Sequence, residues 1–271
     1  LQIFLSGCVI CCMALLTIQR TSALHNSFGI ICAFQMASDL GLLVVTTVFS
    51  FLPARLTPID DAPISKFVGL FAEALYFFSG GLHVLFAIHR FIYIVFPTKK
   101  FAWGRMTGKV IAFVIFLSLA RSFLMPILDT RLFLKYDRYT MCWVIVATPW
   151  TYFYVVYFEI AWSLTEFVMI LSLDCISLFR LHFHKSRVSA KNSKVSLSVE
   201  KLLVKQSFAQ CVPTGTVVLF YFFIFPNLTD QFEMFIASSF TWNAGNVLDG
   251  LVIIVFHGHN LFYPKSLTQV V

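Results

Sequence analysis

Charge is what this sequence has least of. Only 12% of its 271 residues are Asp, Glu, Lys or Arg, against about 25% in a soluble globular domain. A chain this poor in charge cannot cover itself with a water-facing surface, which excludes an ordinary soluble fold. No soluble domain interrupts it. No internal repeat is visible, so the sequence mark of an inverted-repeat transporter is missing. It has no H-E-x-x-H and no nucleophile–base pair, which leaves an intramembrane enzyme without chemistry. Cysteines number seven, and Cys8, Cys11, Cys12, Cys32 and Cys175 sit in apolar runs as small core residues. Cys8-Val-Ile-Cys11 fits C-x-x-C without the βαβ context that gives that spacing redox meaning. The first residues lack a charged n-region and a cleavage site, so Leu1–Leu16 is expected to be the inner part of a truncated first helix rather than a signal peptide.

What is abundant is apolar surface. Hydrophobic residues make up 59% of the chain, with 32 Phe and a mean hydropathy of +0.83. Apolar segments run roughly over Leu1–Ile18, Phe28–Leu52, Phe67–Phe96, Val110–Leu128, Tyr152–Phe179, Ser207–Phe225 and Phe235–Phe256. They predict an all-α polytopic membrane protein, a seven-helix bundle forming one domain over residues 1–271. The net charge of +7 is read through topology rather than as a nucleic-acid footprint. One set of loops carries Arg20, Lys99, Lys100, Arg105, Lys109, Arg180 and a cluster from Lys185 to Lys205, with Lys265 in the tail. The other set mixes acids such as Asp60, Asp61, Asp129 and Asp230 with fewer bases. The positive-inside rule puts the first set in the cytoplasm, the N-terminus outside and the C-terminus inside. Asn227-Leu228-Thr229, a glycosylation candidate at Asn227, then falls on the outer side.

Ionisable residues inside spans are costly and mark function or a buried pairing. Histidines aside, they are Asp39, Glu73, Arg90, Arg121, Glu159, Glu166, Asp174 and Asp249. Arg121 has no partner that spacing assigns. Arg90, in "AIHRFIYIVFP", lies roughly 9 Å inside the end of its span. It reads either as a snorkelling arginine or as part of a switch. Glu73 is roughly 25 Å further along the same ideal helix. With Tyr76, Phe77, Glu159, Trp162, Glu166 and Trp242 it is a candidate for lining an outward cavity between segments three, five and seven. Pro213, deep in segment six, predicts a kink and a pivot. His182/His184 and His257/His259 fall near the cytoplasmic interface, where histidines need no metal. No metal site is expected.

Several stretches resemble rhodopsin-like seven-helix receptors. "HRFIYIVFP" is similar to the "DRY…P" end of the third helix, with His89 in place of the acid, Phe91 in place of the tyrosine, and Pro97 retained. "QMASDLGLLV" around Asp39 resembles "LAxAD", and "NVLDGLVIIVF" resembles (N/D)PxxY, with Asp249 first, Gly250 for the proline and Ile253 for the tyrosine. "CVPTG" resembles the helix-six "CWxP" without its tryptophan. Together with "SALHNSFGIICAFQMASD" and "ILSLDCISLFRLHF", these stretches make the chain resemble nematode chemosensory receptors, serpentine receptor class x. The resemblance implies that Arg90, with His89 and Pro97, forms the switch that meets a heterotrimeric G protein. It implies that Asp39, Ser79 and Asp249 converge in the family's sodium-pocket region. Two carboxylates buried together cannot both stay ionised uncompensated, so a sodium ion, a shared proton or a hydrogen-bonded cluster would satisfy them. The cysteine usually bonded to the second outer loop is replaced by Ser65, so Cys142 is expected to lack its usual disulfide.

The reading is a G-protein-coupled chemosensory receptor in the plasma membrane, not an enzyme. It takes an unknown small molecule or peptide outside and partners a heterotrimeric G protein inside. No nucleic acid is implied, and no cofactor beyond the sodium ion or proton. The rivals are a secondary transporter or ion-conducting protein using Asp39, Asp249 and Glu166, and a non-signalling receptor fragment.

Overall fold

The computed structural model describes residues 2–51, 63–137, 142–185 and 193–258. Seven helices follow in order. They are α1 (Gln2–Arg20), α2 (Ser27–Phe51), α3 (Pro63–Val95) and α4 (Lys100–Leu128), then three that change pitch. Helix α5 joins Thr151–Tyr154, a π-helical turn Val155–Ile160 and Ala161–Lys185. Helix α6 joins Ser193–Leu219, a π turn Phe220–Ile224 and a 3-10 turn Phe225–Asn227. Helix α7 joins Gln231–Phe235, a π turn Ile236–Phe240 and Thr241–His257. Six of these are long and apolar enough to cross a membrane, and α1 adds a shorter apolar helix over Leu5–Arg20.

The helices start where side chains can take up the first free N–H groups. Asn26 Oδ1 accepts from the N–H groups of Phe28 and Gly29 to open α2. Asp230 accepts from Phe232 and Glu233 to open α7. In both, the cap replaces water for groups about to enter an apolar medium. Helix α4 begins ahead of its apolar core because the basic stretch from Lys100 to Lys109 is helical as well.

Helix α3 is central, packing against α2, α4, α5 and α6, while α1 closes the ring between α2 and α7. One half of the bundle is filled by Ile31, Met36, Leu82, Leu85, Phe86 and Ile253. The other is filled by Phe77, Met125, Leu132, Trp143 and Tyr154. Phe113, Phe116, Phe123 and Phe179 point outward from the helices. Such side chains suit lipid, where outward apolar groups carry no hydration cost.

Between α4 and α5 the chain forms a hairpin not anticipated from the sequence. Strands β1 (Leu134–Asp137) and β2 (Cys142–Ile145) pair antiparallel with Leu134 opposite Ile145. The hairpin is tied to the end of the bundle. Tyr136 Oη shares a 2.7 Å hydrogen bond with Ser50 Oγ, and Trp143 Nε1 donates to Thr46 Oγ1 at 3.3 Å. Cys142 forms no disulfide among the described residues; its sulfur lies 2.7 Å from Ser238 Oγ.

Gly69 allows the hairpin to seat, because a Cβ there would collide with the backbone carbonyl of Leu134. Replacing Gly69 with Ala is expected to displace β1 and cost about 1–3 kcal/mol. Gly108→Ala, with nothing within 4 Å of its Cβ position, should be neutral or slightly stabilising. Thermal unfolding of the two variants in detergent checks this; equal melting temperatures would refute the steric account.

Candidate functional site

Three polar layers cross the bundle interior, each centred on α3. At one end, Arg90 is 3% exposed and forks onto Asp174 of α5. Its Nε donates to Asp174 Oδ1 at 3.1 Å, and its Nη2 donates to Oδ1 at 2.9 Å and Oδ2 at 3.1 Å. A two-point guanidinium–carboxylate pair of this kind fixes both distance and orientation. Snorkelling therefore does not describe Arg90, which turns inward. His89 is also buried, but not beside an acid. Its ring stacks on Tyr93 with centroids 4.2 Å apart, and neither ring nitrogen has a hydrogen-bond partner among the described residues. Pro97 opens the 3-10 turn Pro97–Lys99 that leads into α4.

The middle layer gathers Asp39, Ser79 and Asp249, and adds two residues that sequence reasoning passed over. Ser79 Oγ donates to Asp39 Oδ1 at 3.1 Å. Gln35 Nε2 lies 3.0 Å from Asp39 Oδ1, 2.6 Å from Ser79 Oγ and 3.3 Å from His83 Nε2. His83 Nε2 in turn is 3.2 Å from Asp249 Oδ2. Asp249 thus joins the cluster through His83. Gln35 and His83 sit on the same helical faces as Asp39 and Ser79, one turn away, and that spacing was the available signal.

The third layer contains the cavity. Its larger part, about 60 Å³, is bordered by α3, α5, α6 and α7, including Tyr76, Phe77, Glu166, Pro213, Trp242 and Asp249. Helix six therefore joins the expected walls, and its proline lies on the cavity surface. A smaller recess of about 10 Å³ is bordered by Glu73, Tyr76, Glu159, Tyr221 and Trp242 together with Leu134 of the hairpin. Tyr76 shares a 3.2 Å hydrogen bond with Ser163 and meets Trp242 edge-on at 4.8 Å. Tyr154 Oη donates to Glu73 Oε1 at 2.6 Å. Trp162 departs from its expected place. It stands outside both cavities, partly exposed, and its indole donates to Glu166 Oε1 at 2.5 Å.

Arg121 has the partners that spacing could not supply. Its Nη2 donates to the Phe158 carbonyl at 2.6 Å, and Nη1 lies 3.6 Å from Glu166 Oε1. The guanidinium is sandwiched between the rings of Phe77 at 3.6 Å and Trp162 at 4.4 Å. Phe158 and Glu159 lie in the π turn of α5, whose widened hydrogen-bond ladder turns a carbonyl toward Arg121. Nothing in sequence periodicity marks such a turn. Asn227 is exposed at the end of α6, its amide donating to the Phe223 carbonyl at 2.7 Å. His257 Nε2 is 2.8 Å from Gln206 Oε1, linking α7 to α6. The side chains of His182, His184 and His259 lie outside the described residues, as do Asp60, Asp61 and Lys265.

Comparison with known proteins bears on this arrangement. No curated protein matches the chain by sequence. Squid rhodopsin, by its crystal structure, has the same fold: TM-score 0.76 at 14% identity, covering 98% of this chain and 83% of that one. At that identity the likeness shows the fold alone. A family model described as "Serpentine type 7TM GPCR chemoreceptor Srx" matches residues 1–257. The chain is therefore an integral membrane receptor rather than an enzyme, and it belongs to the Srx family of serpentine, seven-transmembrane, G-protein-coupled chemoreceptors.

Proposed function

We propose that this receptor sits in the plasma membrane with its N-terminus outside and its C-terminus in the cytoplasm. It binds a small molecule or peptide in the cavity among α3, α5, α6 and α7 and signals to a heterotrimeric G protein at the opposite end. The observation that carries the reading is the Arg90–Asp174 fork. A guanidinium buried in the bundle interior is costly unless paired. Pairing it across helices makes it a latch, because α3 and α5 cannot separate at that end without exposing both charges. The basic residues flanking the same end support its cytoplasmic placement.

The cavity and the latch share two elements. Helix α3 carries both Glu73 and Arg90. Helix α6 borders the cavity through Pro213, where the helix has lost a backbone hydrogen bond and pivots most readily. Gly245 of α7 keeps that pivot close, since a Cβ there would lie 3.1 Å from Val217 and 4.0 Å from Pro213. A ligand that prefers one setting of α6 thereby biases the latch. Asn227 is the outer glycosylation candidate on this topology.

For the middle layer, a proton is favoured over sodium. His83 faces Asp249 at 3.2 Å, so an imidazolium supplies the compensating charge that an ion would otherwise bring. Gln35 and Ser79 donate to Asp39.

Two experiments test these readings. At matched surface expression, Asp174→Asn should raise ligand-free nucleotide exchange on co-expressed G protein, and Arg90→Ala should abolish ligand-driven exchange. Removing one partner of a buried pair weakens the latched state by about 3–5 kcal/mol. Basal exchange unchanged in Asp174→Asn, together with a normal response from Arg90→Ala, would sink the latch. For the middle layer, exchanging sodium for potassium should leave the melting temperature of the purified receptor unchanged. His83→Leu should lower it, because Asp249 then stands uncompensated. A sodium-specific stabilisation of the intact chain would reverse the assignment.

A further inference from the structure

The outer layer holds more acid than base. Arg121 shares this layer with three acids: Glu166, 3.6 Å from Nη1, and Glu73 and Glu159, which border the small recess. One guanidinium cannot answer three carboxylates; its Nη2 donates to the Phe158 carbonyl and its Nη1 forms an ion pair with Glu166. Glu73 and Glu159 are left beside the small recess, and two ionised carboxylates there need something positive between them. Glu73 Oε1 accepts a hydrogen bond from the Tyr154 hydroxyl, while its buried Oε2 has no donor among the described residues. Glu159 is buried beside it, only 5% exposed. Both side chains border the small recess.

The recess has the size and walls for one kind of group. About 10 Å³ admits a single water-sized body, and an ammonium head is of that size. Tyr76, Tyr221 and Trp242 supply aromatic walls, surfaces that attract cations. Tyr76, Val217 and Trp242 also border the larger cavity, where Phe77, Phe167, Ile170 and Val218 provide an apolar lining. The two spaces adjoin across those three shared residues.

We propose that the receptor's ligand is a small primary amine, its ammonium held between Glu73 and Glu159 and its apolar body lying in the adjoining cavity. This rests on the cavity being the ligand site of the receptor, as argued above. An ammonium offers three N–H donors, which would meet the unpartnered Oε2 of Glu73 and the carboxylate of Glu159 and cancel one of the excess charges. An alcohol of the same shape lacks the charge, and a carboxylic acid adds to the excess.

The test is thermal unfolding of the purified full chain in detergent, with 3-methylbutylamine and 2-phenylethylamine as probes. The matched controls are 3-methylbutanol and 3-methylbutanoate. Both amines should raise the melting temperature saturably, and both controls should not. Glu159→Gln and Glu73→Gln, which keep the side-chain shape, should weaken the amine effect by roughly 10- to 100-fold. No shift from either amine on the intact chain overturns the proposal, as does an undiminished shift in both variants. If the two carboxyls merely share a proton, both variants will be at least as stable as the intact chain and no amine will shift any of them. This readout involves no G protein. Amine binding without nucleotide exchange would therefore count against the coupling reading and leave the ligand class standing.

Discussion

A charge withdrawn from water costs several kcal/mol unless a partner meets it, and α3 faces that cost at both ends. Arg90 is met by Asp174 from α5, and Glu73 by Tyr154 from α5. Between them His83 Nε2 lies 3.2 Å from Asp249 Oδ2 of α7. Each pairing joins two helices, so these polar contacts fix how those helices are rotated and how far each is inserted. Apolar packing alone would not do this, because in lipid one Leu-rich face is nearly as well placed as another. The aromatic and aliphatic clusters around Leu85 and around Trp143 fill space that the polar pairings have already defined.

The seven-helix architecture was legible because each span must supply a long apolar run, a requirement that leaves its mark whatever the neighbours do. The chain's polar residues were legible for the same reason: a charge inside such a run stands out. Their partners were not. Asp174 was visible as an intramembrane acid, but nothing in linear spacing says that it faces Arg90. That depends on the rotation of α5 relative to α3. Arg121 looked unpartnered because its main acceptor is a backbone carbonyl in a π turn, which has no residue signature. Trp162 looked like a cavity residue by its position in α5. Beyond the π turn, however, that register points it outward to cover Arg121 and Glu166.

The three π turns fall in α5, α6 and α7 on the cavity side of the bundle, and they bring Glu159 and Tyr221 to the recess. A π turn widens the helix and weakens its hydrogen-bond ladder, so it persists only where the surroundings hold it. Here Arg121 holds the α5 turn through Phe158, and Tyr221 in the α6 turn donates to the Trp143 carbonyl of the hairpin at 3.3 Å. The hairpin is thereby part of the cavity wall rather than a cover laid over it. Its seating at Gly69 ties the same wall to α3.

The magnitudes constrain how a receptor built this way can work. Opening the Arg90–Asp174 fork with nothing to replace either partner costs about 3–5 kcal/mol. A ligand that prefers the open bundle a hundredfold contributes about 2.7 kcal/mol. Ligand preference of that size falls short of opening the fork alone. On the proposed mechanism the remainder comes from new acceptors that would reach Arg90 if α6 moved, either water entering the cleft or carbonyl and carboxylate groups of a partner. If a partner supplies them, its binding and the ligand's are positively coupled, and by reciprocity each tightens the other by the same factor. On the proposed coupling, the depth at which Arg90 is buried sets the threshold, and a G protein bound there would contribute to activation rather than only receive it.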